Sequence, residues 1–163
     1  MATTLSNPSV NAQVRCNLSS GAAPAVVGST VSQSPNTTLT VGSTAGSVNA
    51  CISEAIAITS GTPWTYNVST GLDPLGNAAG MVHVNAIIVY NLSATAGQIL
   101  TVGAGTDPVL GSDSYTVQPG GVAYVVNPSP GYSVVGSSSD TLTITVAAGT
   151  SVPVQVTVLG RTA

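Results

Sequence analysis

Apolar and polar residues alternate along this chain with a period of two. In Thr141–Val146 (TLTITV), Leu142, Ile144 and Val146 fall on one face and three threonines on the other. Residues 152–158 (VPVQVTV) place four valines on one face, with Gln155 and Thr157 opposite. Successive side chains of a strand point to opposite faces, so this alternation predicts half-buried antiparallel strands. Residues 147–151 (AAGTS) between them predict a hairpin loop. Pro153 suits the start of a strand or an edge, because proline cannot donate to a ladder.

The same reading extends along the chain. Residues 81–91 (MVHVNAIIVYN) are more continuously apolar, which predicts a central strand covered on both faces. Shorter strands are expected at 99–102, Ser114–Val117, 121–126 and 132–135. Turns are expected at 118–121 (QPGG) and 127–131 (NPSPG). The N-terminal third predicts strands over 10–18, 37–41, 48–59 and 64–68. Residues 45–58 could also be a helix, but their Ile, Val and Thr content favours strand. Turn signals every 8 to 12 residues point to an all-β fold, an antiparallel β-sandwich. About eight strands make a jelly roll the leading topology, with another Greek-key sandwich or a barrel as the alternative. No linker divides the chain, so residues 1–163 are expected to form one domain, with 1–15 as an extended N-terminal arm.

Charge sharpens this picture. The 163 residues hold two arginines, five carboxylates, one histidine and no lysine. That is 4% charged, against about 25% in an average soluble domain. High apolar content with so little charge is the opposite of a disordered composition. Arg15 and Arg161 stand near opposite ends of the chain and form no basic patch, so nucleic acid is not expected as a partner. No apolar run reaches the roughly 18 residues of a membrane helix, so no membrane is expected either. The N-terminus lacks the basic and apolar regions of a secretory signal. Cys16 and Cys51 read as buried thiols, with a disulfide as the other option.

Catalytic chemistry finds few carriers. His83, between Val82 and Val84, reads as a strand histidine rather than a base, and no nucleophile elbow accompanies it. Asp107 and Asp113 flank turns and read as turn residues bonding local backbone. Asp73, Asp107, Asp113 and Asp140 show no calcium-loop spacing. Gly103 and Gly105 open no helix, so they are not a phosphate loop. The glycosylation triplets at Asn17, Asn36, Asn67 and Asn91 fit chance in a Ser- and Thr-rich chain. Neither an enzyme nor a metal or cofactor protein is expected. Trp64 and Tyr66, with the other tyrosines, are the candidate glycan-stacking residues; core packing is the alternative for these aromatics.

The missing lysines point toward assembly. Soluble β proteins blunt their sheet edges with charge, lysine above all. A chain without lysine must cover its edges internally or against a partner, and obligate interfaces are apolar and poor in charge.

Residues 65–161 resemble small virion proteins of tailed bacteriophages. The likeness lies in 69–76 (STGLDPLG), 91–103 (NLSATAGQILTVG), 117–122 (VQPGGV), 131–135 (GYSVV), 140–144 (DTLTI) and 159–161 (LGR). It implies a head decoration or cement protein on the capsid surface, made in the host cytoplasm. Its partners would be the major capsid protein and copies of itself, as dimer or trimer. The alternatives are a tail or fibre component that binds a host receptor, and a free carbohydrate-binding module.

Overall fold

The computed structural model describes residues 9–11, 14–22, 25–33, 36–103 and 105–162. All of its regular elements are strands. In chain order they are β1 (Ser9–Asn11), β2 (Val14–Ala22), β3 (Ala25–Gln33), β4 (Asn36–Thr38), β5 (Thr40–Val41), β6 (Ser47–Val48), β7 (Ala50–Ile58) and β8 (Trp64–Asn67). There follow β9 (His83–Asn91), β10 (Leu100–Gly103), β11 (Ser114–Val117), β12 (Val122–Val126), β13 (Tyr132–Ser133), β14 (Thr141–Val146) and β15 (Val152–Arg161).

Two antiparallel sheets pack face to face as a β-sandwich, the fold class that the alternation predicts. One sheet runs β12-β9-β15-β7, with β13 also paired to β9; the other runs β11-β10-β14-β8. The pairing is nested. The first of the eight main strands pairs with the last (β7 with β15), the second with the seventh (β8 with β14), the third with the sixth (β9 with β12) and the fourth with the fifth (β10 with β11).

The core is aliphatic. Val152, Val154, Val156 and Val158 of β15 are buried and share a cluster with Leu142 and Ile144 of β14, both fully buried. Each such side chain contributes about 1.5–3 kcal/mol by leaving water. This packing corrects the hairpin expected at 147–151. β14 and β15 lie in opposite sheets, and the loop carries the chain across the core. Both apolar stripes must reach the same core, and facing sheets allow that. The turn at 118–121 likewise carries the chain from β11 in one sheet to β12 in the other.

Residues 45–58 form β6 and β7, not a helix. The central strand expected at 81–91 is β9, held between β12 and β15. Its outer face is covered only at one end. There Leu39 and Val48 pack on Ala86 and Leu159 in a second small core. β9 also carries a bulge. Leu159 faces Ala86 and Gly160 faces Val84, which leaves Asn85 without a cross-strand partner.

The N-terminal region pairs locally. β2 and β3 form an antiparallel hairpin along their whole length, and β1 pairs with β4. Of the arm expected at 1–15, residues 1–8 and 12–13 lie outside the described residues. The strand at 25–33 is absent from the alternation-based reading. Gly28 and the Ser-Thr run at 29–30 interrupt its apolar pattern.

Candidate functional site

The outer face of the β12-β9-β15-β7 sheet is uncharged. Cross-strand register aligns Val122, Tyr90, Gln155 and Ala55 in one row. Tyr124, Ile88, Thr157 and Ser53 form the next. Val126, Ala86, Leu159 and Cys51 form the third, beneath Leu39 and Val48. The first two rows stay open. Tyr90 is 39% exposed, Val122 39%, Tyr124 37%, and Leu92 beside them 53%. The neighbouring Tyr90 hydroxyl raises the pKa of Tyr124.

Among the described side chains, the nearest cation sits at the covered end of this sheet. Arg161 opposes His83 across the β15–β9 pair and donates from Nη1 to the Ser43 carbonyl at 3.3 Å. Arg161 Nε and His83 Nδ1 are buried without a hydrogen-bond partner. Burial, then the Arg161 charge, lowers the His83 pKa. His83 opens β9.

Trp64 and Tyr66 come together on β8. Two residues apart on one strand face, their rings stack with centroids 5.3 Å apart and planes 23° from parallel. Both pack against the main core at the seam between β7 and β8. The Tyr66 hydroxyl is fully engaged. It donates to the Leu72 carbonyl at 2.9 Å and accepts from the Leu72 N–H at 2.8 Å. Burial raises its pKa, and the Glu54 carboxylate beside it adds to the shift. Tyr115 and Tyr132 close the opposite seam, where they also pack against the core. Core packing thus takes three tyrosines, while Tyr90 and Tyr124 face outward.

The carboxylates divide differently from the sequence reading. Asp107 holds a positive φ of 51°. Its carbonyl accepts from the Thr141 N–H at 2.9 Å, but its carboxylate bonds no local backbone among the described residues. Asp73 and Asp140 carry the turn chemistry instead. Asp73 Oδ1 accepts from the Leu75 and Asn77 N–H groups. Asp140 accepts from Asn67 Nδ2 at 2.8 Å and from the Ser137 N–H at 3.1 Å. Burial raises the Asp140 pKa, yet these donors outweigh it and leave the net shift downward.

Cys51 carries a free, half-buried thiol, and burial raises its pKa. The partner question for Cys16 lies outside the described side chains. Asn67 and Asn91, of two glycosylation triplets, are spent on internal hydrogen bonds. Among the described residues, no three His, Cys, Asp or Glu side chains converge as metal ligands. Among the described residues, no helix is long and apolar enough to cross a membrane.

Two open grooves flank Pro63. One, of about 300 Å³, is lined by Ala57, Ile58, Thr59, Thr62, Pro63 and Trp64. The other, also about 300 Å³, is lined by Pro63, Thr65, Gly105, Thr106, Asp107, Thr141 and Thr143. Sequence reasoning singled out Trp64 but not the threonine and Asp107 wall, because loop 105–110 is brought to β14 by tertiary hydrogen bonds and by burial of Val109 and Leu110.

The chain matches no known protein family, no curated protein and no solved structure.

Proposed function

We propose that this protein is a structural virion component, a decoration or cement protein that binds the outer capsid surface and stabilises contacts between capsomers. The observation that carries this reading is the uncharged outer face of the β12-β9-β15-β7 sheet. One half is buried by the chain's own Leu39 and Val48. The other half presents Tyr90, Val122, Tyr124 and Leu92 to solvent. Exposed apolar patches rimmed by polar residues mark interaction sites, and interface cores favour tyrosine and exclude charge. The nested strand pairing supports reading the sandwich as a jelly roll.

The partners under this reading are the major capsid protein and further copies of the chain, as dimer or trimer. Affinity then sums over many symmetric copies, so each contact can be small. With two arginines in the whole chain, the genome is not the partner.

The test is to locate the protein in purified particles of its source and count it. Decoration predicts hundreds of copies on the head; a handful at the tail would replace this reading with the tail one. The double variant Tyr90→Lys, Val122→Lys keeps the β spectrum by circular dichroism and loses capsid occupancy. Full occupancy by that variant would remove the uncharged face from the interface.

A further inference from the structure

We propose that the sandwich end around Pro63 is a binding site for a neutral pyranose glycan. Such a sugar presents an apolar C–H face, which stacks on an aromatic ring, and a rim of hydroxyls, which needs donors and acceptors. The two grooves that meet at Pro63 divide these tasks. The first holds the half-buried Trp64 ring beside Pro63, Ala57 and Ile58. The second is walled by the exposed Thr65 and Thr106 and by Asp107; Thr141, whose hydroxyl donates to Asp140, and the buried Thr143 complete its lining. Each groove is near the lower end of ligand-pocket size, enough for one sugar ring.

The platform is built before any ligand arrives. Tyr66 backs the Trp64 ring by stacking and is itself pinned through both Leu72 bonds. Tyr66 therefore supports Trp64 and does not touch the sugar. Asp107 is fixed from its backbone, with its carbonyl on the Thr141 N–H and the next turn's Val109 N–H on the Thr141 carbonyl. Rigid placement reduces the ordering cost of binding.

Charge selects the class. Neither groove is lined by a cation, and the only charged lining residue is Asp107. Sialylated, sulfated and phosphorylated glycans are disfavoured by that carboxylate, while a neutral hydroxyl donates to it. The site lies at the β7–β8 seam and beside β14; of its lining residues only Ala57 lies on the outer face of β7, beyond the rows that carry Tyr90 and Tyr124. It stands whether or not the capsid reading does.

Trp64 is the only tryptophan, so its emission reports the site directly. The full chain is titrated with neutral oligosaccharides of glucose, galactose, mannose and N-acetylglucosamine, and with sialyllactose as the anionic probe. At least one neutral probe is expected to shift Trp64 emission saturably, with a Kd of about 1 mM or tighter. Asp107→Ala is expected to weaken it about tenfold or more, the usual scale for a hydrogen bond to a charged group. Leu75→Ser, in an exposed loop, leaves it unchanged. Trp64 packs against the core and its truncation can unfold the protein, so the exposed-wall variant Thr65→Val, which removes one hydroxyl, is the second probe and is expected to weaken binding severalfold. No saturable shift with any neutral probe overturns the proposal. So does binding that Asp107→Ala and Thr65→Val leave intact, or sialyllactose bound as tightly as the neutral sugars.

Discussion

Asn91 should be the most consequential polar residue in the sandwich. It ends β9 and is 1% exposed. Its Nδ2 donates to the Gln98 carbonyl at 2.7 Å and to the Val117 carbonyl at 3.2 Å, and its Oδ1 accepts from the Ser93 N–H at 3.2 Å. One side chain thus ties β9, the 92–99 loop and β11 together. Asn91→Ala strands all three partners. A buried polar group without a partner costs about 1–3 kcal/mol. The Val117 carbonyl and the Ser93 N–H are enclosed and carry that cost in full, while the Gln98 carbonyl can regain water. The expected loss is therefore about 3 kcal/mol, out of roughly 5–15 kcal/mol for a domain. At this chain length it corresponds to a Tm lower by about 6–12 °C. Asn91→Asp keeps the shape but turns a donor pair into a charged acceptor facing two carbonyl oxygens. It should cost at least as much near neutral pH, and less near pH 4, where the acid can donate once. Urea unfolding followed by Trp64 emission, with thermal melts in parallel, measures both variants. An Asn91→Ala loss below about 1 kcal/mol, within the range of an ordinary surface change, or an Asn91→Asp variant as stable as wild type, would refute the reasoning.

Other outcomes follow from the same geometry. His83 is held below its ordinary pKa, so the unfolded chain binds its proton more readily; stability is complete above about pH 6.5 and falls as pH drops through the folded value. His83→Gln should flatten that part of a stability–pH curve, and an unchanged slope would contradict it. Gly160→Ala should destabilise by about 3 kcal/mol or fail to fold, because its new Cβ would stand 2.4 Å from the His83 carbonyl oxygen; a wild-type Tm would exclude this close approach. Glu54→Val should promote self-association beyond that of wild type, seen by light scattering across concentrations, since it removes the one charge on β7; identical profiles would show that Glu54 does not guard that edge.

The fold class was legible because period-two alternation survives wherever one face is wet. β14 and β15 announced themselves by their threonines and valines. Their placement in opposite sheets was not legible, since a short loop after a strand fits a hairpin and a crossing equally well. β9 misled in a different way. Its continuous apolar run reflects burial under Leu39 and Val48 at one end and an open tyrosine-bearing surface at the other, and composition cannot separate a covered face from a sticky one. Trp64 and Tyr66 stood out as candidates because aromatics are rare in this chain. The pinning of Tyr66 was hidden, because its partner Leu72 lies in a loop with no strand signal. Asp107 looked like a turn residue and is one by backbone, but its carboxylate is not spent on the turn.

The missing lysines also change meaning once the edges are known. Five strands border the two sheets: β7, β12 with the two-residue β13 beside it, β8 and β11. β8 and β11 are four residues long and β12 is five, and short edges are poor templates for pairing. β7 is nine residues long, and it holds the chain's only glutamate. Glu54 shares the inward face with Ile52 and Ile58, opposite Val156. An inward-pointing charge on an edge strand penalises a further strand, because pairing would enclose the carboxylate. The edges are therefore managed without lysine. What lysine scarcity leaves unguarded is the flat outer face of the β12-β9-β15-β7 sheet, where no charge opposes a partner. The case for assembly rests on that face and its tyrosines, not on the strand edges.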